Sequence, residues 1–305
     1  MFAQPSSSVS RARLWRTAAA VAVLLGLVGY LVVQYVTGGP GAPHCTVRAE
    51  GGSKEYELSP EQAANAATIS AVASSRGLPE RAVTIALATA MQESGLRNIE
   101  FGDRDSVGLF QQRPSQDWGT VQQIMDPVYS AGEFYRHLAK VPGYSRLPLT
   151  VAAQKVQRSG FPQAYAKHEA NAARLTGALS GRYQDAMTCT ESGPVNAQAG
   201  GAAQVREKLV REFGPQVLPG AAGHAAGGGR GVTIPVRQAG PAAGEAPRRG
   251  WQLATWAVAH SAELRIEQIS YAGRTWRAAD SGKGWQPKQA ASPAAAHDVR
   301  IITAQ

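Results

Sequence analysis

The chain predicts one N-terminal transmembrane helix, a mainly α central domain over residues 45–190, and a small α+β domain over residues 203–305. Three observations lead there. Thr17 to Val36 is a run of 20 residues without a charge, which as a helix reaches about 30 Å and spans a bilayer. From Ser59 to Leu179 apolar residues recur at helical spacing between Pro, Gly and Ser/Thr/Asp punctuation, with no alternating strand of useful length. After residue 231, short alternating segments flank one apolar helix, the pattern of an α+β unit.

Composition sets the outer bounds. A chain of 305 residues holds two ordinary domains, and 44% hydrophobic residues supply a core, while 33 Gly and 18 Pro leave room for linkers. The net charge of +9 is uneven: residues 1–16 contribute +3, residues 17–200 hold fifteen bases and fifteen acids, and residues 201–305 carry +6. The central domain is therefore not a polyanion binder by charge, and nucleic acid is not an expected partner. No run of five basic residues occurs in the last part, so its charge reads as a solvated surface.

Met1 to Arg16 is a short basic tail with Arg11, Arg13 and Arg16, and no charge follows the apolar run until Arg48. The positive-inside rule then places the N-terminus in the cytoplasm and the bulk of the chain outside the plasma membrane as a single-pass protein. A cleaved signal peptide is the alternative, but its apolar core is usually shorter, and no A-x-A site appears in Thr37 to Pro43. Residues 37–44 read as a spacer. Cys45 and Cys189, both on the exported side, bracket the helical segment, and an oxidising compartment predicts a disulfide between them.

Within the central domain, Ser59 caps a helix with Pro60 at its first position, running to Arg76 and ending at Gly77. Pro79 opens the next. Thr120 caps a short turn, Asp126-Pro127 starts a helix reaching about Lys140, Thr150 caps another through Gln157, and Gln163 to Leu179 supplies the last. A small β wing is expected in the loop 98–107. Phe134, Tyr135 and Leu138 read as core; Trp118 and Tyr165 suit either core or a platform for sugar rings.

The stretch Ala82 to Pro114 organises the rest. Val83, Leu87, Ala90, Met91 and Ser94 share one helical stripe, and Glu93 sits beside it over small residues. A carboxylate there meets both burial and the negative end of the helix dipole, which raise its pKa toward that of a general acid working near neutrality. Gly95 reads as a left-handed cap, and Gly108 as a place where backbone approaches a ligand closely.

Glu93-Ser94-Gly95-Leu96 followed by Gly108-Leu109-Phe110-Gln111 resembles the E-S-G-x and G-L-M-Q pair of lysozyme-like lytic transglycosylases and goose-type lysozymes. Ala90 to Gly119, with Phe161 to Tyr165 downstream, is similar to lysozyme-like modules of actinobacterial cell-envelope proteins. The resemblance implies that Glu93 is the acid/base on a glycosidic bond and that Ser94, Gly108, Leu109, Phe110 and Gln111 line the glycan groove, with Trp118 and Tyr165 as further substrate contacts. The A-Y-N-x-G segment of that family has its nearest match in Ala164-Tyr165-Ala166-Lys167. Glycosidases normally use two carboxylates, though an acetamido group on the substrate can replace one. Asp103 and Asp105 are the candidates for a second carboxylate; both also read as turn formers and ion-pair partners.

In the C-terminal part the expected elements are a helix over Ala203 to Phe213, a strand Val232 to Val236, a helix Trp251 to Leu264, a hairpin Ile266 to Tyr271 and Arg274 to Trp276 about Ala272-Gly273, and a strand Val299 to Thr303. Trp251, Trp256 and Trp276 read as core. The order of elements resembles zinc D-Ala-D-Ala carboxypeptidases of the hedgehog type. His224 and Gly227 match that family's metal motif, but its ligand Asp has no counterpart, and its H-V-H strand reads Asp298-Val299-Arg300. A catalytic zinc needs three well-placed protein ligands, so this domain is expected to be non-catalytic and metal-free.

No Cys-His, Ser-His-Asp or H-E-x-x-H array occurs in the central domain, and His137 and His168 stand alone. The expected activity is cleavage of peptidoglycan glycan strands by Glu93, without a cofactor and from a membrane anchor. The alternative is a non-catalytic wall-binding scaffold that keeps the fold. Transport falls away, because one spanning helix without a charged residue makes no pore.

Overall fold

The computed structural model describes residues 15–16, 21, 23–29, 42–48, 55–161, 163–190, 201–219, 229–236, 245–287 and 297–304. The chain divides into two units, Met1–Ala42 and Pro43–Gln305. In the first, helix is described at residues 15–16, 21 and 23–29. Among the described residues no helix is long and apolar enough to cross a membrane. The expected spanning helix over Thr17 to Val36, and with it the single-pass plasma-membrane location, is thereby overturned. The other residues of that stretch lie outside the described ones.

The second unit opens with strand β1 (His44–Arg48), whose Cys45 and Val47 point inward. Strand β2 (Glu55–Leu58) returns antiparallel beside it, pairing Cys45 with Leu58. Helix α1 (Pro60–Ser75) follows, its start fixed by a capping box: Ser59 Oγ accepts from the Gln62 N–H and the Gln62 side chain accepts from the Ser59 N–H. Ten of its sixteen residues are buried, so it has no solvent stripe to speak of. Helix α2 (Glu80–Glu93) buries every residue from Ala82 to Met91. It closes on a left-handed cap, with Gly95 at φ 65° donating its N–H to Met91 O (3.2 Å) and the Leu96 N–H reaching Ala90 O (3.1 Å).

Past the loop come α3 (Val121–Ile124) and α4 (Pro127–Ala139), the latter capped by Asp126 Oδ1 on the Val128 N–H. Helix α5 (Leu149–Gln157) starts directly after Pro148 instead of at a Thr150 cap. Helix α6 (Glu169–Leu179) begins later than Gln163, because Ala166–His168 forms a tighter 3-10 turn first. Strand β3 (Met187–Thr190) then pairs with the free side of β1, setting Cys189 opposite Cys45, and the expected disulfide joins them across a separation of 144 residues. The sheet β2-β1-β3 is a correction to the strand-free domain read from the sequence. Its strands have four or five residues with two or fewer buried, too few for alternation to stand out. The β wing expected in 98–107 reduces to one bridge, Val107 with Gln112.

A linker is expected from composition over residues 191–202; residues 191–200 lie outside the described ones, while Gly201 and Ala202 already form the start of the next helix. Helix α7 (Ala202–Phe213), strand β4 (Gly231–Pro235), helices α8 (Glu245–Ala259) and α9 (Ser261–Leu264), and strands β5 (Ile266–Tyr271), β6 (Arg274–Arg277), β7 (Gln286–Pro287) and β8 (Asp298–Thr303) complete the unit. They build an antiparallel sheet in the order β4-β8-β5-β6-β7. Helix α8 lies against β5 and β8 and also against α1, so one apolar core runs through both halves. Trp251, Trp256 and Trp276 are buried in it, and cutting such a ring back to Ala costs about 3–5 kcal/mol. Two indoles also join the sheets: Trp276 Nε1 donates to Thr188 Oγ1 (3.0 Å) and Trp285 Nε1 to Met187 O (3.0 Å).

Candidate functional site

Glu93 is the last residue of α2, half-buried where the core opens. The Tyr165 hydroxyl donates to its Oε1 at 2.8 Å, and the Gln157 side chain, at the end of α5, bonds the same carboxyl. Burial raises the Glu93 pKa above that of an ordinary carboxylate, outweighing these two hydrogen bonds, which favour the ionised form. The direction is the one its place on the helix predicts. Tyr165, by contrast, is wholly buried. It is no platform for a sugar; it positions Glu93 from behind, and burial together with the carboxylate charge pushes its own pKa up.

The G-L-x-Q segment acts mainly as a brace. Ser94 Oγ lies within hydrogen-bond reach of Leu109 O (2.8 Å) and Ala90 O (3.1 Å), tying the helix end to the loop. Leu109 and Phe110 are fully buried, and the Phe110 ring stacks on Phe134 at 4.6 Å. These two side chains therefore face the core instead of a glycan. Gly108 has φ 78°, and a Cβ there would come within 2.9 Å of Ile124 O. The glycine serves a close approach to protein backbone, not to a ligand. Gln111 alone of the segment reaches an open surface.

The two candidate second carboxylates differ. Asp105 Oδ1 accepts from Arg113 Nε (2.7 Å) and Oδ2 from the Ser115 N–H (2.8 Å). The backbone bond from Ser115 and the Arg113 guanidinium hold its pKa well below the carboxylate range. It is a loop anchor, already engaged by Arg113 and Ser115. Asp103 is exposed, with Arg104 at 4.0 Å.

Beside this group lies a pocket of about 410 Å³ between α4, α5 and the loop after Phe110. Gln157 forms part of its wall while bonding Glu93 and donating Nε2 to Phe110 O at 2.8 Å. Trp118 lines it too, half-buried and stacked on His137 with ring centroids 4.1 Å apart. Of the two aromatic residues expected against sugar, Trp118 is the one with a surface to offer. Gln157 went unnoticed in the sequence because nothing local marks a helix-terminal Gln that meets a Glu 64 positions earlier. His137 and His168 are separated: His137 is in the pocket wall, and His168 Nε2 lies 3.2 Å from Gln92 Oε1.

Among the described residues no group of three or more His, Cys, Asp or Glu side chains could hold a metal ion. His224 and Gly227 lie outside the described residues. Arg300 sits in β8 opposite Thr233 and Ser270.

Compared with known families, the model described as VldE, C-terminal domain, matches residues 194–299. The matched stretch holds α7 and nearly all of the second sheet and leaves Glu93 and its surroundings outside. No curated protein matches the chain.

Proposed function

We propose that the protein cleaves the glycan strands of peptidoglycan, with Glu93 as general acid and then base. One observation carries this reading: a carboxylate ends a buried helix with its pKa raised by burial, and is held by Tyr165 and by Gln157, whose side chain also forms part of a pocket wall. The E-S-G-x and G-L-x-Q motifs that brace it support the same choice. Protonated Glu93 gives its proton to the glycosidic oxygen as the bond to the anomeric carbon breaks. With Asp105 tied to Arg113, the positive charge that develops on the sugar is met by the substrate's own acetamido group. The Glu93 carboxylate then takes a proton from water, giving hydrolysis, or from a hydroxyl of the same sugar, giving an anhydro product.

A second reading, a glycan-binding module without turnover, gains weight from the engagement of Asp105, which withdraws one of the two candidates for a second carboxylate. Digestion of purified peptidoglycan with the full chain separates the two. New reducing ends or anhydro-terminated fragments support the enzyme; retention on the glycan with no fragments supports the binding module.

A further inference from the structure

The pocket beside Glu93 is one-sided in charge. Arg113, Lys140, Lys155 and Arg158 line it and no carboxylate does. Arg113 is satisfied by Asp105. Among the described residues Lys140, Lys155 and Arg158 form no ion pair, so the charge of the pocket wall is not neutralised within the protein. The three converge from two helix ends, Lys140 just after α4 and Lys155 and Arg158 at the end of α5. The partial negative charge of those helix termini eases their crowding, yet supplies no full counter-charge. Their combined field is felt inside the pocket: burial and then the Arg136, Lys140 and Arg158 charges lower the His137 pKa against the pull of Glu133. His137 is thus a neutral ring under Trp118, not a fourth cation.

We propose that this pocket seats a negatively charged substituent carried by the glycan, a carboxylate or a phosphate ester, gripped by Lys155 and Arg158 with Lys140 behind them. Arg158 offers a planar fork suited to two oxygens and Lys155 a point charge. Trp118 presents an indole face for the apolar side of the sugar that bears the group. Gln157 ties the pocket to the Glu93 carboxyl, so the charged sugar lies next to the bond being cleaved. The assignment rests on the reading of Glu93 as the acid and adds the chemical class of strand it acts on: charged strands are preferred over neutral ones.

The test uses the full chain with Glu93→Gln, which holds a strand without turning it over. Oligomers of N-acetylated hexosamine of one length are titrated calorimetrically in neutral, carboxylate-bearing and phosphate-bearing forms. A charged form is expected to bind about tenfold tighter than the neutral one, with the gap narrowing at about 0.5 M salt. Lys155→Gln with Arg158→Gln brings the charged-to-neutral ratio close to one, and Lys155→Arg keeps it; all three side chains are exposed, so folding is not at stake. Which charged form binds tighter identifies the group. Equal binding of charged and neutral oligomers, no binding of any, or binding of inorganic phosphate that no oligomer displaces each overturns the assignment. Wild-type cleavage of the neutral oligomer reports on Glu93 separately, so cleavage without charge preference removes this inference and leaves the acid in place.

Discussion

Tyr165 donates its phenolic hydrogen to Oε1 of Glu93 over 2.8 Å from a ring that is itself wholly buried. Two influences thus meet on one carboxyl: burial favours its neutral form, and the phenol favours its ionised form. Burial wins. Removing the phenol in Tyr165→Phe takes away a stabiliser of the anion and lifts the Glu93 pKa further. An activity that needs protonated Glu93 then persists to higher pH, and the alkaline limb of the pH–rate profile moves upward. The profile for glycan cleavage checks this; a limb that stays in place or moves toward acid contradicts the assigned role of Tyr165.

Glu93→Gln keeps the shape of the side chain and removes the transferable proton. Activity should fall by about 10² to 10⁴, the contribution of general acid catalysis, while circular dichroism stays that of the wild type. Asp103→Asn should change the rate less than about twofold, in line with an exposed charge remote from any such role. Asp105→Asn should raise KM more than it lowers kcat, because it releases Arg113 and the Ser115 N–H and loosens the loop. An equal loss in Asp105→Asn and Glu93→Gln would instead indicate a hydrolase with two carboxylates.

Much of this fold can be read from local chemistry. Ser59, Pro60 and Gln62 start α1, Asp126 and Pro127 start α4, and Ala272-Gly273 turns the β5–β6 hairpin, each through contacts a few residues apart. The site was legible to the same extent: the place of Glu93 at the end of an apolar helix already predicts a raised pKa. What escaped depends on distant partners. Strands β1 and β3 pair across more than 140 residues, Tyr165 reaches Glu93 across 72 and Gln157 reaches Phe110 across 47. Leu109 and Phe110, expected along the groove, and Tyr165, which suited either core or platform, are all buried; an aromatic or aliphatic residue beside a motif carries the same letters whether it faces a ligand or the core. The apolar run at the N-terminus shows the converse, since freedom from charge over 20 residues is matched by no spanning helix among the described residues.

The Cys45–Cys189 bond closes nearly the whole first sheet and the helices between its ends. A loop of this size should stabilise the fold by roughly 5 kcal/mol on the chain-entropy account. Cys45→Ala with Cys189→Ala should lower the urea midpoint with little change in slope, and reduction of the wild type should reproduce the shift. An unchanged midpoint would mean that β1 and β3 are held by Trp276 and Trp285 without the bond.

Glu212, buried at the junction of α1, α7 and α8, accepts from Thr68 Oγ1 (2.9 Å) and Trp256 Nε1 (2.7 Å), with Lys208 Nζ at 3.5 Å and His260 Nε2 at 3.6 Å. His260 in turn bonds Glu263 through Nδ1 at 3.1 Å. Burial opposes every charge here. The neighbours prevail: the His260 pKa is raised above its ordinary 6.5 by the charge of Glu212 and by the hydrogen bond to Glu263. Glu212 is lowered below 4.5, and Glu263 is lowered to about 2. The contribution of the two carboxylates is complete above pH 4.5 and fades as pH falls toward their folded values; that of His260 is complete below 6.5 and fades as pH rises through its folded value. Stability should therefore be greatest between pH 4.5 and 6.5 and decline on both sides. His260→Gln should lower stability by about 1–3 kcal/mol within that window, since it removes one charged neighbour while Thr68, Trp256 and Lys208 still hold Glu212, and should flatten the decline on the alkaline side. Urea midpoints of the two proteins from pH 4 to 9 decide the matter. An alkaline decline of the same size in His260→Gln would assign the pH dependence to another group.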